Sequence, residues 1–133
     1  MPRSAATEEP HVFEYAPLRL VPRVERGEHL NAGVLVYSRA TGFVAARTRL
    51  DESRLKALDP DADVEGVRAA LRAVEAVCHG GAAAGPVARD DAGRRFRWLV
   101  APRSALVQPG PVHTGLTRSP QAELDHLLDL LVP

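Results

Sequence analysis

The sequence has little cysteine, little lysine and no long apolar run, and each scarcity excludes a class of protein. Cys78 is the only cysteine, so the chain can form neither an intrachain disulfide nor a cysteine-based zinc site. No apolar run approaches the roughly 20 residues that a membrane-spanning helix needs, and the N-terminus lacks the apolar core of a secretory signal. We therefore predict a cytoplasmic protein that is neither exported nor embedded in a membrane.

Net charge is also lacking, because Lys+Arg and Asp+Glu both number 17. A balanced chain has no global positive field to draw it to nucleic acid or to an anionic membrane. Lys56 is the only lysine, so nearly every cation is an arginine, whose planar fork fits carboxylate and phosphate groups. Any site for an anion must therefore be a local cluster of arginines.

The length and composition fit one folded unit preceded by a short tail. A chain of 133 residues with 45% hydrophobic residues can bury one core but has no room for a second. Residues 1–10 contain Pro2 and Pro10 and no apolar periodicity, which predicts a disordered N-terminal tail. Residues 11–133 are predicted to form a single α+β domain.

Three segments in the first half of the chain are typical of β-strands. Residues 11–20 alternate apolar with other residues, and Pro17 within them predicts an edge strand or a bulge, since proline cannot donate to a ladder. Residues 30–37 are a continuous run of β-formers, and residues 43–50 follow after a turn that ends at Gly42. Together these segments predict an antiparallel meander.

The second half mixes helical and extended patterns. Asp51 and Asp63 are placed to cap two helices, and Ser119 followed by Pro120 predicts the start of a last one. Residues 90–93 are typical of a hairpin turn, and residues 95–101 alternate strongly enough to predict a fourth main strand. The predicted fold is therefore α+β, with a mainly antiparallel meander sheet and two to three helices packed on one face.

Two blocks of residues resemble a known bacterial family. The first block comprises Tyr15, Leu18, Arg19, Val21, Pro22 and residues 25–28 and 31–34, and the second comprises Arg95, Phe96, Trp98, Leu99 and residues 101–104 and 112–115. In combination they resemble the family catalogued as domain of unknown function 3037, which has no assigned activity. Its members are often encoded beside a HipA-like kinase, so the resemblance implies a protein partner of that kind.

The stretch between the first two predicted strands gathers charged side chains around Gly27. If this glycine turns the chain back, arginine forks there could hold an anion and a carboxylate could accept a proton. Two further polar residues follow predicted strands later in the chain, where binding groups are common. The candidate ligand-binding residues are Arg23, Arg26, Glu28, Asn31, Arg103 and His113, and we expect the arginines, Glu28 and His113 to converge in one cleft.

These residues also have an ordinary explanation, because charged side chains at a hairpin end usually form surface ion pairs worth under ~1 kcal/mol. Ser104 and His113 do not form a convincing nucleophile and base, since no glycine elbow surrounds the serine and no third group is identifiable. The chain has 5 histidines without ligand spacing on one helix, so no metal site and no cofactor are predicted.

The interpretation that these patterns favour is a cytoplasmic accessory or binding module that engages a protein partner and an anionic ligand through the arginine corner. The alternative is a small hydrolase or phosphodiesterase-like enzyme with Glu28 or His113 as general base. A second alternative is nucleic-acid binding through residues 94–98, where arginines and aromatics interleave. An enzyme requires a concave pocket that contains Glu28 and His113, whereas a binding module requires an apolar patch rimmed by arginine.

Overall fold

A computed structural model describes residues 9–81, 85–103 and 105–133. Most of the predicted tail at residues 1–10, and Ser104, lie outside these ranges. Within them, the strands are β1 (His11–Leu20), β2 (Leu30–Ser38), β3 (Phe43–Thr48), β4 (Val107–Pro109) and β5 (His113–Thr117). The α-helices are α1 (Glu52–Leu58), α2 (Val64–His79), α3 (Ala92–Leu99) and α4 (Pro120–Leu131), with a 3-10 turn at Pro86–Arg89. No helix in the described ranges is both long and apolar enough to span a bilayer.

The sheet is built around β1, which has strands on both sides. On one side β1 pairs with β2, and β2 pairs with β3, so the predicted antiparallel meander is confirmed. On the other side β1 pairs with two short strands in succession, with Tyr15 opposite His113 in β5 and Leu20 opposite Val107 in β4. All of these pairs are antiparallel, and the α+β class is confirmed.

Pro17 lies on this interior strand and not on an edge strand. Its register partner in β2 is Val34, and on its other side its carbonyl accepts a hydrogen bond from the Gly110 N–H at 2.8 Å. In an antiparallel strand the N and the C=O of one residue face the same neighbour. The proline nitrogen therefore faces the linker between β4 and β5, where the ladder requires no donor.

The bulge that Pro17 suggested is present one residue further along the strand. The register between β1 and β2 shifts between Leu18 and Arg19, so that Ala32 has no partner of its own. An extra residue reverses the alternation of side chains between the two faces. As a result Leu30 and Ala32 both pack in the cluster beneath α1 and α2, while Asn31 reaches α4 on the opposite face.

The helices cover both faces of the sheet. α4 packs on Val34 and Val36, whereas α2 and α3 pack on Leu35 and Tyr37. Successive residues of a strand point to opposite faces, so these helices lie on opposite sides. The described residues contain four α-helices on two faces, where the sequence predicted two to three on one. The continuous apolar run of β2, buried along most of its length, is typical of a strand covered on both sides.

The predicted strand over residues 95–101 is wrong, because this segment forms α3. The Asp91 carboxylate accepts a hydrogen bond from the Arg94 N–H at 2.8 Å, so the supposed hairpin turn is a helix N-cap. Phe96 and Leu99 are buried three residues apart on the face toward the sheet, and Trp98 is 46% exposed. Apolar residues three positions apart are typical of one face of a helix. In so short a segment the apolar residues also fit the alternating pattern of a strand, which explains the wrong prediction.

The three predicted helix caps are confirmed. Asp51 accepts a hydrogen bond from the Arg54 N–H at 3.1 Å, and Asp63 accepts one from the Gly66 N–H at 3.0 Å. Ser119 does the same at the start of α4. Each cap satisfies one of the backbone donors that a helix start leaves without an intrahelical partner.

Cys78 lies near the end of α2, buried against the sheet. Burial raises the pKa of its thiol from 9.0 to about 12, more than the nearby Arg95 guanidinium lowers it. Because the folded-state pKa is raised, the stability that the neutral Cys78 thiol contributes is complete below pH 9.0 and is lost as the pH rises toward 12.

We expect Cys78 in the native protein to resist thiol reagents at pH 8. Its thiolate is about a thousandfold less populated than that of a free thiol, because the population falls tenfold with each unit of pKa. Labelling with a chromogenic disulfide in buffer and in urea checks this, and the signal belongs to Cys78 because the sequence has no other cysteine. Rapid stoichiometric labelling of the native protein would contradict it.

Candidate functional site

The predicted arginine corner is an exposed turn whose arginines are paired with neighbouring carboxylates. Gly27 has a φ of 70°, the left-handed conformation that turns the chain back as predicted. Arg26 donates to Glu28 at 2.8 Å, and Arg23 lies 3.4 Å from the Asp59 carboxylate at the end of α1. Both arginines and Glu28 are substantially exposed, so these pairs contribute little to stability.

The other candidate residues contact different parts of the fold. Asn31 donates its side-chain amide to the Leu131 carbonyl at 3.2 Å and so satisfies the end of α4. The Arg103 guanidinium lies 4.6 Å above the Trp98 ring, and the His113 ring lies 5.2 Å from that of Tyr15. Each of these side chains already has a structural contact within the described residues.

The expected single cleft is not formed by this arrangement. His113 is opposite Tyr15, whereas the corner begins beyond Leu20, which is five residues further along β1. At the rise of a β-strand this separation is about 17 Å. Sequence reasoning placed both loops at one sheet end, but β5 pairs with the far half of β1. Whether the six candidate residues bind a ligand remains a prediction.

A surface depression lies away from the corner, between the start of β1, the turn from β2 to β3 and the first turn of α3. This open groove of ≈ 950 Å³, here called the arginine groove, is lined by Arg39, Arg94 and Arg97 together with Glu14 and Asp91. Three arginines against two carboxylates leave it one unit positive. Its basic residues come from a turn and a helix that are far apart in sequence.

The arginines of this groove differ in how firmly ion pairs hold their side chains. Arg97 Nη2 donates to both carboxylate oxygens of Glu14, at 2.9 and 2.7 Å, so this guanidinium is fixed in place. Arg94 is more loosely held, with its Nε 3.9 Å from an Asp91 oxygen. Arg39 is exposed and makes no ion pair with any described residue. Arg39 and Arg94 are therefore the cations best able to accept a new acidic partner.

An apolar strip of two residues adjoins the groove. Val12 in β1 and Leu116 in β5 are register partners, so their side chains lie next to each other on the same face of the sheet. They are 59% and 67% exposed, and Val12 also lines the groove. Among the described residues β5 pairs only with β1, so its outer edge is open beside the strip. The result is an apolar surface rimmed by arginines.

The segment proposed for nucleic-acid binding does not form a continuous basic surface. Arg94 and Arg97 line the groove, but Arg95 Nη1 donates to the Val77 and Cys78 carbonyls at 3.1 and 2.5 Å. Arg95 therefore satisfies the carbonyl end of α2, where a cation is electrostatically favoured. Arg94 and Arg97 thus line the groove, whereas Arg95 binds the end of α2, so the segment presents no single basic surface.

Arg94 and Arg97 were named only as part of a nucleic-acid-binding segment, and neither Arg39 nor the Val12–Leu116 strip was predicted from the sequence. The signal it contained was the spacing of three between Arg94 and Arg97, which places them on one side of a helix once α3 is recognised. Among the described residues no three histidine, cysteine or acidic side chains gather closely enough to hold a metal ion.

Comparison with known proteins identifies a family but no characterised relative. A family model described as "Protein of unknown function (DUF3037)" matches residues 15–132. No curated protein and no solved structure matches the chain. The match covers β1 from Tyr15 onward, the whole groove except its first strand residues, and α4.

Proposed function

The chain belongs to the family of proteins of unknown function DUF3037, and from this premise we propose that it is a cytoplasmic accessory module that binds a protein partner. The apolar strip of Val12 and Leu116 supplies the contact area, and the arginine groove beside it receives acidic side chains of the partner. The single observation that supports this proposal is an exposed apolar pair that runs into a groove rimmed by arginines.

The physical reason is the cost of leaving such a surface in water. Two neighbouring aliphatic side chains exposed by more than half are costly, at roughly 25 cal/mol for each Å² of apolar area. Apolar patches with a polar rim are typical of sites for protein partners. Arg39 and Arg94 then provide specificity and faster association, since rim charges mainly steer the encounter.

The partner that fits this surface is a protein segment with alternating acidic and apolar residues. An extended segment of that kind can lie along the open edge of β5 and place its apolar residues on Leu116. Members of this family are often encoded beside a HipA-like kinase, so a kinase of that type is the first partner to test.

The enzyme alternative has less support. Glu28 is paired with Arg26 in the exposed corner, and the ring of His113 in β5 lies against that of Tyr15 in β1. Neither residue lines the arginine groove. A general base needs to reach the proton that it removes, and these two residues lie too far apart to serve one reacting centre.

We expect Leu116→Asp to weaken partner capture by at least about tenfold, which corresponds to about 1.4 kcal/mol. The new carboxylate removes apolar contact and repels an acidic partner. The measurement is quantitative mass spectrometry of proteins captured from the native host on the immobilised chain. Leu130→Asp is the matched control, because Leu130 on α4 is 63% exposed and Leu116 is 67% exposed.

Arg39→Glu tests the electrostatic half of the proposal, with Arg72→Glu on α2 as the exposed control. The true partner should be lost from both Leu116→Asp and Arg39→Glu and kept by both controls. Its binding to the purified wild-type chain should also weaken as the salt concentration rises. If no captured protein follows this pattern, the groove is not the partner site and the proposal fails.

A further inference from the structure

A second cavity lies at the C-terminal end of α3, next to the linker between β4 and β5. It has a volume of ≈ 380 Å³, and its basic side chains are Arg19 from β1 and Arg103 from the segment after α3. We call it the Arg19–Arg103 cavity. It shares no lining residue with the arginine groove, so what it binds is independent of the proposed partner site.

Arg19 carries a buried donor with no acceptor. Its Nε is inaccessible to solvent, and no described residue accepts a hydrogen bond from it. A buried N–H without a partner destabilises the folded state, and more so when the group is charged. Because the fold covers Nε, Arg19 can reach a ligand only through its terminal Nη groups, which make no hydrogen bond to any described residue.

The neighbouring linker holds this guanidinium closely. A Cβ on Gly110 would lie 3.0 Å from both Nε and Cζ of Arg19 and 2.5 Å from Cγ of Pro17. Only glycine therefore permits the linker to pass this close to the arginine. The close linker restricts the positions that the guanidinium can take, which reduces the entropy lost on binding.

Arg103 is fixed by different contacts. Its guanidinium stacks on the Trp98 ring at 4.6 Å, its Nε lies 3.3 Å from the Ala101 carbonyl, and its Nη2 donates to the Trp98 carbonyl. Nη1 makes no hydrogen bond to any described residue. Two guanidinium groups thus line one cavity, and each has terminal N–H groups that make no hydrogen bond to a described residue.

The lining of the cavity contains no carboxylate among the residues that the structure describes. Its charge is therefore two units positive, in contrast to the nearly balanced arginine groove. The remaining walls are largely apolar and come from Val100, Pro111 and Val112. Its volume is at the lower end of the roughly 300–1,000 Å³ range of small-molecule sites.

We propose that the Arg19–Arg103 cavity binds a small organic anion, whose carboxylate or phosphate group accepts hydrogen bonds from Arg19 and Arg103. The apolar walls contact the body of the ligand, so a bare inorganic anion binds more weakly. Planar guanidinium forks suit both carboxylate and phosphate, and the two are separated by the choice of probe.

Trp98 supplies the readout, because it is the only tryptophan and its ring lies under Arg103. Benzoate, phenyl phosphate and inorganic phosphate are titrated against the full chain at constant ionic strength, with chloride as the reference salt. We expect a saturable change in Trp98 fluorescence with at least one organic anion, and a response at least tenfold weaker with inorganic phosphate. The stronger of the two organic probes identifies the anionic group that the site prefers.

Arg19→Met is expected to weaken this binding by about 10- to 100-fold, the loss that removing a charge-assisted hydrogen bond produces. Arg72→Met, an exposed arginine on α2, should bind as the wild type does. Without a probe, Arg19→Met should unfold at the same urea concentration as the wild type or at a higher one, because a buried unpaired donor has been removed.

Three outcomes would overturn the proposal. The first is a wild-type chain that responds to the organic anions no more than to chloride. The second is an Arg19→Met variant that binds them with wild-type affinity. The third is a marked fall in the urea midpoint of Arg19→Met, which would assign the side chain a structural role. None of these outcomes bears on the partner site, which is tested by variants on a different surface.

Discussion

Replacement of Phe96 by alanine is expected to destabilise the protein by about 3–5 kcal/mol, as for other fully buried aromatic residues. Phe96 has no exposed surface, and its ring stacks on that of Tyr37 at a centroid distance of 5.1 Å. It is the main side chain that holds α3 against the sheet, together with Leu99. The loss combines the transfer energy of the ring with the cavity that it leaves behind.

Urea unfolding monitored by circular dichroism measures this effect, and Trp98→Ala is the control. Trp98 is a neighbouring aromatic residue of the same helix, but it is 46% exposed, so its removal should cost much less. Equal losses for the two variants would mean that α3 does not dock through Phe96. Because Arg94 and Arg97 are on α3, partner capture should fall with Phe96→Ala even below the unfolding transition.

Substitution of Gly33 by valine is expected to cost at least about 3 kcal/mol, at the upper end of the range for overpacking. A Cβ at this position would lie 2.6 Å from the Arg47 carbonyl oxygen and 3.2 Å from Cα of Thr48. Both are backbone atoms of β3, so they can move away only if β2 and β3 separate. The glycine stands next to the bulge and allows the closest approach of the two strands.

Gly42→Ala separates this steric effect from a general intolerance of glycine replacement. Gly42 has a φ of 69° and no atom within 4 Å of an added Cβ, so alanine there costs only the left-handed conformation, about 1 kcal/mol. The urea midpoint of Gly33→Val should fall well below that of Gly42→Ala. Similar midpoints would show that β3 yields to the side chain.

The parts of the fold that local chemistry determines could be predicted from the sequence. The meander of β1, β2 and β3 follows from β-forming runs separated by turns, and the caps at Asp51, Asp63 and Ser119 follow from side chains that bond their own helix. The helix at residues 92–99 could not, because its apolar residues fit two periods equally well over so short a segment.

The candidate site could not be predicted from local sequence patterns, for a different reason. Glu14, Arg39 and Arg97 meet only because α3 packs on β2 and β3 and so brings Arg97 to Glu14 of β1, a tertiary arrangement that no short window of sequence encodes. Arg19 similarly becomes unusual only when the linker at Gly110 closes over it. In both places the polar residues that matter are next to apolar ones, whereas the conspicuous charged corner is exposed and paired locally.

The position of β1 has a consequence for how this protein folds during its synthesis. β1 is translated before its neighbours on one side, β4 and β5, and before the covering helix α4, all of which lie far downstream in the sequence. Until those residues emerge, the nascent sheet has one bare edge and an uncovered aliphatic surface around Val34 and Val36. Strand pairing between segments far apart in sequence slows folding, and it prolongs the lifetime of aggregation-prone intermediates. Chaperone dependence during synthesis is the expected result of pairing the central strand with segments far downstream of it.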